Sequence, residues 1–132
     1  MPEPKRTILC IEDEPEVIEL IQVMLETAGY RVVGVLGGRN ALEAIRREKP
    51  DLVLLDLMMP GVDGWTVFKQ MRADPELQDI PVIPVTAVDK RIDVMLALEV
   101  IGVDEYVTKP FGQEELIASV DRVLRCRRDE KG

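Results

Sequence analysis

The sequence contains no histidine among its 132 residues. Without imidazole, the protein has neither serine–histidine nor cysteine–histidine catalysis, and it has no imidazole ligand for a metal. It has only two cysteines, Cys10 in a predicted central strand and Cys126 at the end of the last predicted helix. Two such distant thiols in a chain that we expect to be cytoplasmic are predicted to be free and not catalytic. Carboxylate, hydroxyl and ammonium groups remain as the available chemistry.

Long apolar stretches and an excess of positive charge are absent as well. No apolar run approaches the roughly 20 residues of a membrane span, so no membrane association is predicted. The 17 basic and 25 acidic residues give a net charge of −8. This charge disfavours attraction to a phosphate backbone, so we expect protein partners and no direct binding of nucleic acid. The polar start, MPEPKR, leaves no room for a signal peptide and predicts a cytoplasmic location.

Five short apolar runs, rich in β-branched residues, alternate with five helical patterns. This alternation predicts an α/β fold of repeated strand–helix units around a parallel sheet. The length of 132 residues predicts a single domain, with an ordered core at about residues 6–126 and flexible termini. The predicted strands lie near residues 7–12, 31–36, 51–56, 81–86 and 103–107.

Two local features qualify this pattern. Pro84 lies inside the fourth predicted strand, and because proline has no N–H we expect a bulge or a register shift there. The fourth helical pattern, residues 89–101, carries an apolar arc wider than one buried stripe requires. Part of that arc is therefore expected to face solvent or a partner.

Acidic residues follow two of the apolar runs, at the point where each predicted strand ends. Glu12 and Asp13 follow the first run and Asp56 follows the third. In an open parallel sheet, ligands bind beyond the carboxyl ends of the strands, so these carboxylates can converge on one Mg²⁺ ion. For Asp13 alone, capping of the first helix is an equally good interpretation.

Three further side chains come at the same edge of the predicted sheet. Lys109 follows the fifth apolar run and can neutralise a carboxylate or phosphate oxygen, although taken alone it would be read as a surface lysine. Thr86 ends the fourth run with a hydroxyl donor, although a lone strand threonine is usually a packing residue. Tyr106 is either a core aromatic or a ring whose position reports what Thr86 binds.

Taken together, these signals resemble the receiver domain of two-component response regulators, the CheY-like superfamily, over about residues 6–126. The resemblance rests on Glu12-Asp13, on Asp56 with its Met58-Met59-Pro60-Gly61 loop, on Thr86-Ala87, and on Tyr106 with Lys109-Pro110-Phe111. It implies a flavodoxin-like (βα)5 three-layer sandwich with a doubly wound, five-stranded parallel sheet in the order 2-1-3-4-5.

The resemblance also implies the function and the site. Asp56 would accept a phosphoryl group from a sensor histidine kinase or a phosphotransfer protein. The surface of the fourth helix, fifth strand and fifth helix would then change to regulate a downstream protein, a covalently linked output domain or a phosphorylation-dependent dimer. Its catalysis would be limited to its own phosphorylation and dephosphorylation. The implied site consists of Mg²⁺ ligands from Glu12, Asp13, Asp56 and the Met58 carbonyl, phosphate-binding and switch residues Thr86, Ala87, Lys109 and Tyr106, and a cis Lys109–Pro110 bond.

Two other classes of function remain as alternatives. One is a phosphatase or phosphotransferase with a nucleophilic aspartate, as in the haloacid dehalogenase group. That group has a second acid two residues after the nucleophile, where this chain has Met58, so turnover of phosphate esters is expected to be poor. The other is an interaction module that works without phosphorylation, which the intact acid set, Thr86 and Lys109 argue against.

Overall fold

The structure is a computed structural model that describes residues 5–59, 62–87 and 105–131. Its main sheet has five strands, labelled β1 to β5 in chain order: Thr7–Glu12, Arg31–Leu36, Leu52–Asp56, Val82–Ala87 and Val107–Lys109. All neighbouring strands are parallel, in the order β2-β1-β3-β4-β5. The predicted fold class and strand order 2-1-3-4-5 are confirmed.

Described helices follow β1, β2, β3 and β5. The described helices are labelled α1 to α4 and span Pro15–Thr27, Ala41–Glu48, Gly64–Ala73 and Gln113–Lys131. Between β3 and α3, two-residue strands at Met58–Met59 and Val62–Asp63 form a short antiparallel pair. The predicted helix at residues 89–101 lies outside the described residues, and so does its apolar arc. Among the residues that the structure does describe, no helix is long and apolar enough to cross a membrane.

The sheet separates two hydrophobic cores, which explains why its central strands are apolar without alternation. Successive residues of a strand point to opposite faces. On β1, Leu9 and Ile11 therefore enter the core under α2 and α3, while Ile8 and Cys10 enter the core under α1 and α4. The helices complete the outer layers with their buried stripes: Ile18, Ile21 and Leu25 of α1, Ala41, Ala44 and Ile45 of α2, Val67, Phe68 and Met71 of α3, and Leu116, Val120 and Leu124 of α4.

Pro84 lies within β4 without a bulge or register shift, so that expectation was wrong. The pairing of β4 with β3 runs in continuous register across Pro84. The Leu57 amide donates to the Val85 carbonyl at 3.1 Å, which shows that Val85 turns its backbone groups towards β3. Its neighbour Pro84 faces the opposite edge, where the ladder with β5 begins only at Val85. The proline therefore removes no ladder hydrogen bond.

Two boundaries also differ from prediction. The fifth strand was predicted to end at residue 107, but β5 covers Val107–Lys109 because these three residues pair with Val85, Thr86 and Ala87 of β4. The last helix was predicted to end at Cys126, whereas the helical backbone of α4 continues to Lys131. The sequence after Cys126 consists of charged residues without a helix breaker before Gly132, which allows the helix to continue.

Candidate functional site

The ends of the parallel strands bring the predicted site residues to one edge of the sheet. Glu12 is the last residue of β1, Asp56 of β3 and Lys109 of β5. β1 and β3 are neighbours, whereas β4 lies between β3 and β5. The Lys109 side chain therefore reaches past the end of β4 to meet the acidic residues. Thr86 is the penultimate residue of β4 and pairs with Thr108 of β5.

Lys109 contacts two buried carboxylates. Its Nζ lies 2.9 Å from Glu12 Oε2 and 3.4 Å from Asp56 Oδ2. The lysine side chain is 24% exposed, while the side chains of Glu12 and Asp56 are only 2% and 4% exposed. Buried carboxylates are stabilised by such pairing, because burial removes the water that would otherwise solvate their charge. The ammonium thus takes over part of the role of that water.

Three carboxylates form a compact cluster of oxygen donors. Carboxylate oxygens of Glu12, Asp13 and Asp56 lie within 4.8 Å of one another. The ligands of one Mg²⁺ ion are separated by about 3–4 Å, and the ion prefers oxygen donors, so this set fits a hard divalent cation with a small adjustment. The capping interpretation of Asp13 is not supported, because Glu14 occupies the N-cap position of α1 and makes no side-chain capping bond.

The electrostatics of the cluster follow from burial and close charges. Burial, with a hydrogen bond to Asp56, raises the pKa of Glu12 to about 8, although the Lys109 contact acts in the opposite direction. Burial alone would lower the pKa of Lys109, but its contacts with Glu12 and Asp56 outweigh that effect and raise it. Lys109 therefore remains an ammonium at neutral pH. Without a cation, Glu12 therefore holds its proton to a higher pH than an exposed glutamate does.

Other predicted residues surround this cluster. The Lys109–Pro110 peptide bond is cis, the isomer that the resemblance implied. Tyr106 is half-buried and packs against the core under α2 and α3. The backbone of Met58 pairs with Asp63. The side chains of Met58, Thr86 and Ala87 lie outside what the structure describes.

Cys10 lies on β1 two residues before Glu12 and is fully buried with a free thiol. Burial, with the nearby charge of Glu12, raises the pKa of its thiol to about 12. The thiol therefore stays protonated at neutral pH, and the prediction that Cys10 is free is confirmed.

One residue near the site received no role from the sequence. Gly64 begins α3, where its Cα faces the backbone of Asp56 and Leu57. Glycine is a poor helix former, and its place at the start of a helical pattern, eight residues after the candidate nucleophile, was the available signal. Local sequence could not reveal that this glycine touches the Asp56 backbone.

A family model described as "Response regulator receiver domain" matches residues 8–121. The chain belongs to this family. The DNA-binding response regulator MtrA of Mycolicibacterium smegmatis is 40% identical over 126 residues, which are 96% of this chain and 54% of MtrA. The alkaline phosphatase synthesis transcriptional regulatory protein PhoP of Bacillus subtilis is 41% identical over 120 residues, 91% of this chain and 49% of PhoP. This chain spans about half the length of these relatives.

A solved structure agrees with the family assignment. The BeF3-activated N-terminal receiver domain of Klebsiella pneumoniae RstA has a TM-score of 0.80 and 38% identity, and the match covers 91% of this chain and 99% of that one. Receiver domains are regulatory, phosphorylation-dependent switches of two-component signalling, and they bind Mg²⁺ at an acidic pocket. This receiver domain therefore belongs to a signalling system, and family membership decides against the phosphatase alternative.

Proposed function

We propose that Asp56 is the phosphoacceptor of this receiver domain and that Glu12, Asp13, Asp56 and the Met58 carbonyl hold a Mg²⁺ ion. The observation that carries the proposal is the position of Lys109, whose ammonium contacts both Asp56 and Glu12 within the acidic cluster. A nucleophilic carboxylate, an oxygen-donor cluster and a fixed cation are the parts that phosphoryl transfer to an aspartate needs. The core of this single domain spans about residues 6–126.

The chemistry follows from these groups. A carboxylate oxygen of Asp56 forms a bond to phosphorus while the bond from phosphorus to the donor atom breaks, and the donor leaves with that electron pair. Lys109 is positioned to offset charge on a phosphoryl oxygen, since its Nζ already lies 3.4 Å from Asp56 Oδ2. When bound, Mg²⁺ would neutralise charge on the transferring oxygens. Little proton transfer is required, so the absence of histidine is no obstacle.

The partners follow from the same chemistry. Because these 132 residues contain no histidine, a phosphohistidine donor would lie outside them, in a sensor histidine kinase or a phosphotransfer protein. A small acyl phosphate is an alternative donor. The domain would catalyse only its own phosphorylation and dephosphorylation. A cytoplasmic location remains a prediction from the sequence.

The output is proposed to follow a movement of Thr86 and Tyr106. The Thr86 hydroxyl would turn to the phosphoryl group, and the Tyr106 ring would move inward. The surface formed by β5, α4 and the helix predicted from the sequence at residues 89–101 would then change. Two observations support this: Thr86 pairs with the strand that follows Tyr106, and Tyr106 already packs against the core. The changed surface would bind a downstream protein, a linked output domain or a second copy of the chain. A linked output domain is among the candidates because relatives such as MtrA are about twice as long as this chain.

Intact-mass measurement after incubation with acetyl phosphate tests the acceptor. Wild type should gain one phosphoryl group with Mg²⁺ and none with EDTA, because the clustered carboxylates repel an anion until a cation offsets them. Asp56→Asn should gain none, whereas Asp79→Asn, at an exposed aspartate, should behave as wild type. Phosphoryl uptake by Asp56→Asn would assign the acceptor to another residue.

A second experiment tests the partner proposal. Wild type with and without beryllofluoride, a phosphoryl analogue, serves as bait in a pull-down from the source cells. We expect at least one protein to bind only the beryllofluoride form. An identical set of proteins with both forms would support the phosphorylation-independent interaction module instead.

A further inference from the structure

The start of α3 lies directly against the peptide bond that joins Asp56 to Leu57. A β-carbon built on Gly64 would lie 2.4 Å from the carbonyl oxygen of Asp56 and 2.6 Å from the Cα of Leu57. Carbon atoms in ordinary contact lie about 3.5–4.0 Å apart, so no side chain fits here unless the backbone moves. Gly64 is also buried, which leaves no free space to receive a methyl group.

The opposing peptide has little freedom to retreat from this contact. The Leu57 amide donates to the Val85 carbonyl of β4 at 3.1 Å, and Leu57 is 1% exposed. The Asp56–Leu57 peptide is thus held by β4 through a hydrogen bond and by the start of α3 through direct contact. A shift of this peptide would move the Asp56 carboxylate, which lies 3.4 Å from Lys109 Nζ.

We propose that Gly64 is a positioning residue for phosphoryl transfer. Its missing β-carbon lets α3 close on the Asp56–Leu57 peptide, and this contact sets the distance of the Asp56 carboxylate from Lys109. It also sets the course of the chain towards the Met58 carbonyl, a proposed Mg²⁺ ligand. The inference rests on the proposed role of Asp56 and adds a residue that touches neither the phosphoryl group nor the ion.

Gly34 provides a matched control for the steric effect. A β-carbon at Gly34 would lie 2.4 Å from Ile18 Cγ2, which is as close as the contact at Gly64. The contacting atom is here a side-chain methyl group on α1. Gly34 belongs to the edge strand β2 and pairs with Cys10, so it lies outside the acidic cluster. Both glycine-to-alanine substitutions should therefore lower stability, but only one should move Asp56.

The experiment compares Gly64→Ala and Gly34→Ala with wild type, at a temperature where circular dichroism shows all three folded. The rate of phosphoryl uptake from acetyl phosphate is followed by intact mass, and Mg²⁺ affinity is measured by calorimetry. Gly64→Ala should lose about tenfold or more in rate per folded molecule, because small displacements of a reacting group are costly. It should also bind Mg²⁺ more weakly. Gly34→Ala should keep both values within about twofold.

Each outcome has a distinct meaning. Equal rates and Mg²⁺ affinities in wild type and Gly64→Ala would overturn the positioning role and leave Asp56 as the acceptor. Absence of phosphoryl uptake by wild type, or uptake by Asp56→Asn, would instead overturn the proposed function.

Nuclear magnetic resonance of wild type covers the case in which Gly64→Ala does not fold. On binding of beryllofluoride and Mg²⁺, the amide resonances of Gly64 and Trp65 should shift, because the start of α3 contacts the Asp56 backbone. The chemical shift of the Gly34 amide resonance should not change. An unchanged Gly64 resonance in the beryllofluoride form would contradict the proposal.

Discussion

Replacement of Lys109 with methionine would separate what the lysine charge contributes to stability and phosphoryl transfer from what its side-chain shape contributes. Methionine keeps a similar side-chain length but removes the ammonium that lies 2.9 Å from Glu12 Oε2 and 3.4 Å from Asp56 Oδ2. The carboxylates of Glu12 and Asp56 remain almost completely buried in the variant unless the site rearranges. We therefore expect a protein that is less stable and that also transfers phosphoryl groups poorly.

The size of the stability loss can be bounded from the distances. At an effective dielectric constant of about 20, unit charges 3.4 Å apart attract by about 5 kcal/mol. The net loss is smaller, because the substitution also removes the cost of burying the ammonium, which is still partly exposed. We expect about 2 kcal/mol, as for a buried charged group left without its hydrogen bond. For a domain of this size, this corresponds to a fall in Tm of roughly 6–10 °C.

The pH dependence has a defined sign in metal-free buffer. A raised carboxyl pKa favours folding below the unfolded value of about 4.3, and this contribution is lost as pH rises towards the folded value. For Glu12 in wild type the pKa in the folded state is about 8, so the loss of stability with rising pH levels off near pH 8. Lys109 lowers that pKa, and its removal raises it further. The variant should therefore continue to lose stability above pH 8, and the difference in unfolding free energy between wild type and variant should grow with pH.

Urea denaturation in EDTA, followed by circular dichroism at pH 7 and pH 9, measures both effects. Lys69→Met, at an exposed lysine of α3, is the control and should change stability by less than about 0.5 kcal/mol. Added Mg²⁺ should recover part of the loss in Lys109→Met, since the ion offsets the same carboxylates. A loss no larger than that of the control, or a gap that narrows with pH, would refute the electrostatic argument.

Three further predictions concern stability, signalling and signal lifetime. Tyr30→Phe should lower the free energy of unfolding by about 1–2 kcal/mol in urea denaturation, because it removes the phenol hydrogen bond to Asp121. Burial, together with that bond, raises the pKa of Tyr30. The stability that the phenol contributes is therefore present below pH about 10 and is lost as the pH rises further. Thr86→Ala should accept phosphoryl groups normally but change partner binding weakly, and an unchanged phosphorylation-dependent response would exclude the switch. The double substitution Met58→Asn and Val88→Glu should speed loss of phosphate, because polar side chains two residues after Asp56 and Thr86 can orient the attacking water. Equal or slower decay in phosphate-release measurements would show that these positions do not set the lifetime of the phosphorylated state.

The sequence by itself determined the fold class and the edge at which the site forms. Apolar runs without alternation require a sheet covered on both faces, and helical patterns between them require parallel strands. Because parallel strands end at the same edge, Glu12, Asp56 and Lys109 had to lie near one another. Their order along the chain carried the family resemblance. These properties depend on local pattern and chain order, which a single sequence displays directly.

Only the tertiary structure decided how close these groups lie and what surrounds them. Lys109 and Asp56 are 53 positions apart, and the pairing of Lys109 with both Asp56 and Glu12 depends on the packing of β4 between β3 and β5. Burial sets the raised pKa of Glu12, and strand register places Pro84 where its missing N–H removes no hydrogen bond from the ladders with β3 and β5. The contact of Gly64 with the Asp56 backbone likewise has no local signature. Each of these features is a distance between segments remote in the chain, and such distances are set by packing.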